Sequence, residues 1–87
     1  MEKYFINYHT GAGNLIVEVN EIDEAKRIAE EGVAYTQTQI TIETLDGEVI
    51  TESRWWGVEP EEDSNVLEII GDGYFQTWSD ELENEVY

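Results

Sequence analysis

The sequence predicts an α+β fold: an antiparallel sheet of about five strands with one main helix packed on one face, in ββαβββ order. Three observations carry this. Short runs rich in aromatic and β-branched residues alternate with glycine-bearing turns. One stretch, residues 21–31, has helical periodicity. An Asp-Gly dipeptide separates two strand-like runs, where a tight hairpin turn is expected. A single helix cannot cover both faces of a sheet, so the far face is expected to be solvated or used.

Lys3 to Tyr8 reads as the first strand and Leu15 to Val19 as the second. Between them Thr10-Gly-Ala-Gly-Asn14 is turn chemistry, because glycine and Asn tolerate positive φ. Asn20 is a candidate N-cap, and Glu21, Asp23 and Glu24 place negative charge where the helix dipole favours it. Ile22, Ala25, Ile28, Ala29 and Val33 form the apolar stripe of the helix, and Gly32 is its expected stop. Tyr35 to Leu45 and Glu48 to Trp56 are the two arms of a hairpin about Asp46-Gly47, with Ile42 opposite Thr51 and Thr44 opposite Val49. An acidic loop from Gly57 to Asn65 holds the single proline. Val66 to Ile70 is expected to be a mostly buried strand, Gly71-Asp-Gly73 a turn, and Tyr74 to Trp78 a last strand. Ser79 is placed to cap a short acidic helix through Glu85. One domain, residues 1–87, is expected, with 79–87 as a segment prone to fray.

Charge is the dominant compositional fact. Twenty-one acids stand against four bases (Lys3, Lys26, Arg27 and Arg54), a formal net charge of −17. Ten of the acids follow Arg54, with no base among them. Acid-rich chains are often disordered, but this one carries ten aromatic residues and a single proline, which argues for a folded core. Such an imbalance costs stability through self-repulsion, so a cationic partner is the expected reason for it. Phosphate backbones and anionic membranes would repel the chain. No secretory leader and no spanning segment is read, so a cytoplasmic location is expected, in the host if the chain is phage-encoded. Adaptation to high salt would also favour acids over lysine.

Cysteine is absent, which excludes disulfides and thiolate metal sites. His9 is the only histidine, and no nucleophile motif surrounds Ser53, Ser64 or Ser79, so no catalytic residue is assigned and an enzyme is not expected. Glu59 to Asp63 and Asp72 lack the ordered spacing of a calcium loop, so neither a metal nor a cofactor is expected. Thr10, Gly11, Gly13 and Asn14 could let a small ligand approach the backbone, but the loop has no Lys and joins two strands; a plain hairpin loop explains it as well. Trp55 and Trp56 should point to opposite faces of their strand, one packed in the core and the other available as an anchor.

In size, charge, lack of cysteine and α+β pattern, the chain resembles the small acidic inhibitors of phages and mobile elements. These include DNA-mimic anti-restriction and anti-CRISPR proteins. Tyr8-His-Thr-Gly-Ala-Gly-Asn14 and Ala34-Tyr-Thr-Gln37 also resemble phage and bacterial open reading frames. Acidic immunity proteins of the barstar type offer a parallel in size and charge. The resemblance implies an interaction protein that meets a basic nucleic-acid-binding protein, a host nuclease or defence effector, with carboxylates in place of phosphates. Glu59, Glu61, Glu62, Asp63, Asp72, Asp80, Glu81, Glu83 and Glu85 are the candidate contact acids, with Trp55 and Trp56 beside them. A duplex of about 29 Å carries roughly seventeen charges, about the breadth of a domain this long. The alternative reading is a nucleotide-signal sponge built on the Thr10–Asn14 loop and the aromatics. Both a monomer and a homodimer are compatible with the sequence.

Overall fold

A computed structural model describes residues 2–11, 13–33, 36–62 and 64–82. Six strands and two helices follow in order: β1 Glu2–Asn7, β2 Leu15–Val19, α1 Ile22–Glu30, β3 Gln39–Glu43, β4 Val49–Trp56, β5 Val66–Ile70, β6 Gly73–Gln76 and α2 Ser79–Leu82. The fold is α+β, with a curled antiparallel sheet of order β2-β1-β3-β4-β6-β5. Its six strands match the six strand runs read along the sequence, one more than the ββαβββ order counts. Glycine at 71 takes the left-handed φ of 59° that turns β5 back onto β6.

The first hairpin pairs Tyr4 with Val17 and Ile6 with Leu15, and β3 then joins the free edge of β1 through Ile6 and Ile42. Helix α1 lies over β1, β2 and β3. Its inward stripe is small where the sheet is close: Ala25 and Ala29 are fully buried, flanked by half-buried Ile22 and Ile28. Tyr8 reaches across to donate its hydroxyl to the Ala29 carbonyl at 3.0 Å. Burial of Ile6, Ile40, Ile42, Phe75 and Trp78 in the same layer contributes about 1.5–3 kcal/mol per side chain.

Four local expectations are corrected. The N-cap is Glu21, not Asn20, and it makes no side-chain capping bond. Gly32 does not end the helix by a left-handed turn; a side chain there would collide with the Tyr8 ring, so packing requires glycine. The β3–β4 connection is not a two-residue turn, because Gly47 alone takes positive φ there (94°) while Asp46 does not. Thr44 therefore meets Glu48 (2.9 Å), Glu43 meets Val49, and a bulge at Ile50 restores Ile42 opposite Thr51. Finally β5, expected to be buried, is a largely exposed edge strand, since neither helix covers it. The starts of the run at Tyr35 and of the Ala34–Gln37 resemblance, and the end of the acidic helix at Glu85, lie outside the described residues.

Candidate functional site

The candidate surfaces follow from what the four bases do. Lys26 lies four residues after Ile22 and three before Ala29, so the helical period turns it inward, and its side chain is only 6% exposed. Its ammonium is 2.8 Å from Asp80 and 3.1 Å from Glu81, with Asp23 at 3.9 Å. The other Asp80 oxygen accepts from the Thr51 hydroxyl at 2.6 Å, while Ser79 Oγ accepts the Glu52 amide at 3.1 Å. This network holds the four-residue α2 against β4 and α1. Burial works to lower the pKa of Lys26, but the hydrogen bonds to Asp80 and Glu81 outweigh it and leave it raised. Burial likewise works to raise the pKa of Asp80, and its bonds to Lys26 and Thr51 leave it lowered. Asp80 and Glu81, assigned from sequence to a partner, are thus engaged inside the molecule.

Lys3 and Arg54 face the open side of the sheet, each 3.9 Å from an acid, Glu18 and Glu52 respectively. Arg27 is exposed in the last turn of α1. Among the described residues, exposed acids without such neighbours are found at several places: Glu21 and Glu31 flank α1, Asp46 and Glu48 lie on the β3–β4 loop, and Glu59, Glu61, Glu62 and Asp72 are exposed on two further loops. The 59–62 loop is shaped by Ser64, whose Oγ accepts the Glu61 amide at 2.9 Å. It folds toward the β5–β6 turn, so that Glu59 and Asp72 line one open cavity of about 360 Å³ with Pro60 and Ile69. Asp63, Glu83 and Glu85 lie outside the described residues.

The two tryptophans diverge as alternation requires. Trp55 turns inward beneath Gly57 and Gly73 and packs on the core, where its buried indole nitrogen finds no acceptor among the described residues. Trp56 turns outward, 40% exposed; Arg54 lies 5.7 Å from its ring centre, and its indole donates to Gln76 at 2.9 Å. Tyr74 and Ile69 continue that outward row. At the other end of the same face Phe5 and Ile16 border a second open cavity with Glu43 and Leu45.

The glycine loop is built as a hairpin support. Gly11 and Gly13 take φ of 81°, and Asn14 Oδ1 accepts the Tyr8 amide at 2.8 Å, which occupies the side chain proposed for a ligand. Beside it lies a polar network that the sequence reading missed. Thr41 donates to Glu43 at 2.6 Å, Asn7 donates to the same carboxylate at 3.2 Å, and His9 Nε2 lies 2.9 Å from Thr41 Oγ1. Thr41 is 2% exposed, which removes it as a nucleophile. Its signal was the alternation Gln39-Ile-Thr-Ile-Glu43, which places Thr41 and Glu43 together on the outward face. Lys26 was also legible, as the one base at an apolar-stripe position.

No group of three or more acidic or histidine side chains among the described residues is arranged to hold a metal ion. No helix among them is long and apolar enough to cross a membrane. No family model, curated protein or solved structure matches the chain.

Proposed function

We propose that this protein is an acidic interaction protein that inhibits a basic nucleic-acid-binding enzyme, a CRISPR effector or restriction nuclease, by presenting carboxylates where DNA would present phosphates. One observation carries the reading. Three of the four bases are held by the chain's own acids, one of them buried, so the carboxylates of the 59–62 and 71–73 loops stand with little internal compensation. The molecule is 37 Å long and 18 Å thick. Duplex of that length carries about 22 phosphate charges, close to the −17 of the chain. Glu59, Glu61, Glu62 and Asp72 are the contact acids in this reading. Trp56 is the exposed aromatic beside them; Trp55 supports it from within.

The test is competition. Titrated into a complex of the effector or nuclease with labelled DNA at about 100 mM salt, the protein displaces the DNA, and added salt weakens the effect. A partner that binds the protein yet keeps its DNA affinity unchanged overturns the reading.

A further inference from the structure

We infer that the outer edge of β5 receives an extended, lysine- or arginine-rich segment of another protein as a further strand of the sheet. This extends beyond the inhibitor reading and holds whether or not the segment belongs to a nucleic-acid-binding enzyme.

Strand β5 stands last in the sheet order, and only β6 pairs with it. Among the described residues, no backbone hydrogen bond outside that ladder reaches Val66–Ile70. An antiparallel edge turns N–H and C=O groups outward at alternate residues, where one more strand can pair with them. Edges are commonly blunted by lysine, proline or a covering helix. Val66-Leu-Glu-Ile-Ile70 has neither lysine nor proline, and neither helix covers it. A bulge falls between Val66 and Glu68, but Glu68, Ile69 and Ile70 keep consecutive register with β6.

Charge selects the occupant. Glu68 is exposed in the middle of β5, and Glu59, Glu61, Glu62 and Asp72 are exposed on the loops that precede and follow the strand. No base occurs after Arg54. A lysine or arginine opposite Glu68 makes a favourable cross-strand pair, and a like charge there is destabilising. Two copies pairing their β5 strands about a two-fold axis centred on the strand would set Glu68 directly against the second copy's Glu68. The carboxylate that opposes self-pairing therefore attracts a basic segment. Val66 and Ile69, 36% and 59% exposed, offer cross-strand contacts to β-branched side chains. Beside Ile69, the cavity of about 360 Å³ joins Pro60 to the carboxylates of Glu59 and Asp72. A lysine stem can lie along the two apolar residues while its ammonium reaches the acids. The opposite edge differs: β2 packs beneath α1, and its one acid, Glu18, is 3.9 Å from Lys3.

A labelled synthetic peptide of lysine, valine and threonine, long enough to span β5, tests the proposal by fluorescence anisotropy with the full chain at about 100 mM salt. The expected result is saturable binding that added salt weakens. At saturation, amide hydrogen exchange should slow in Val66–Ile70 and not in Leu15–Val19. N-methylation of the peptide's backbone nitrogens keeps its charge but removes its donors, and should weaken binding about tenfold or more. Glu68→Lys should weaken it about tenfold or more. Glu48→Lys makes the same change of net charge on the β3–β4 loop and should alter affinity less than about threefold. Both positions are exposed, so circular dichroism should be unchanged. Absence of binding overturns the proposal. So does binding indifferent to N-methylation, or equal loss in the two lysine variants, since either shows attraction by charge alone. Amides of β5 already protected in the free chain overturn it too, because a second copy or the chain itself then covers the edge. Failure of the inhibitor reading shows separately, as intact DNA binding in the competition assay.

Discussion

The ammonium of Lys26 lies 2.8 Å from Asp80, fifty-four positions later in the chain. That bond joins α1 to α2 across β4, and it makes the two partners unequal. Lys26 is almost wholly buried, while the Asp80 and Glu81 side chains are 38% and 51% exposed. Asp80→Ala with Glu81→Ala strands a buried cation beside only the more distant Asp23. A loss of about 2–3 kcal/mol is expected, less than for a fully buried pair because water reaches the site. Lys26→Met leaves two carboxylates that can rehydrate, and should cost under about 1 kcal/mol. Urea denaturation measures both; equal losses would refute the asymmetry.

The same site sets the pH dependence. The pKa of Asp80 is lowered from 3.8 on folding. Its contribution to stability is therefore present above 3.8 and disappears as pH falls through the lower folded value. Lys26, raised from 10.5, contributes fully below that pH and loses its contribution as pH climbs through the higher folded value. Protonation of the other carboxylates relieves self-repulsion, so stability should first rise on acidification from neutrality and then drop. Urea midpoints at low protein concentration should show the late drop in the parent and a weaker one in Asp80→Asn.

Gly32 and Tyr8 form a packing pair. Gly32→Ala drives a methyl into the phenol ring and should cost about 1–3 kcal/mol. Tyr8→Phe removes the bond to the Ala29 carbonyl and should cost about 1 kcal/mol. Because the two changes share one contact, the double variant should lose less than the sum. Thermal denaturation of the four proteins gives the coupling.

Charge removal separates the exposed acids from the engaged ones. Neutralising Glu59, Glu61, Glu62 and Asp72 together, to Gln and Asn, should slow association with the proposed cationic partner several-fold at low salt. The fold should be unaffected, since these side chains are exposed. Stopped-flow binding at two salt concentrations checks this. A rate unchanged at low salt would remove these four acids from the encounter surface.

Local chemistry made much of this molecule legible. The first hairpin, helix α1 within one residue at each end, the pairing of Ile42 with Thr51 and the divergence of Trp55 and Trp56 all follow from period and turn residues. The bulge at Ile50 escaped because Asp46-Gly47 permits two turn types, and only the hydrogen bonds of Thr44 select one. Acidity was legible as well, but its division between a compensated sheet face and exposed rims was not. That division depends on which strands pair.

The sequence alone determined the fold class, most of the strands and helices, and the excess of negative charge, because each depends on neighbours within a few residues. Tertiary structure decided the rest: that β3 joins β1, that β6 lies between β4 and β5, and that Asp80 faces inward to Lys26 while Asp72 faces out beside Glu59. These contacts close loops of tens of residues. Their free energy belongs to the packed assembly of sheet and helices, and no local pattern records it.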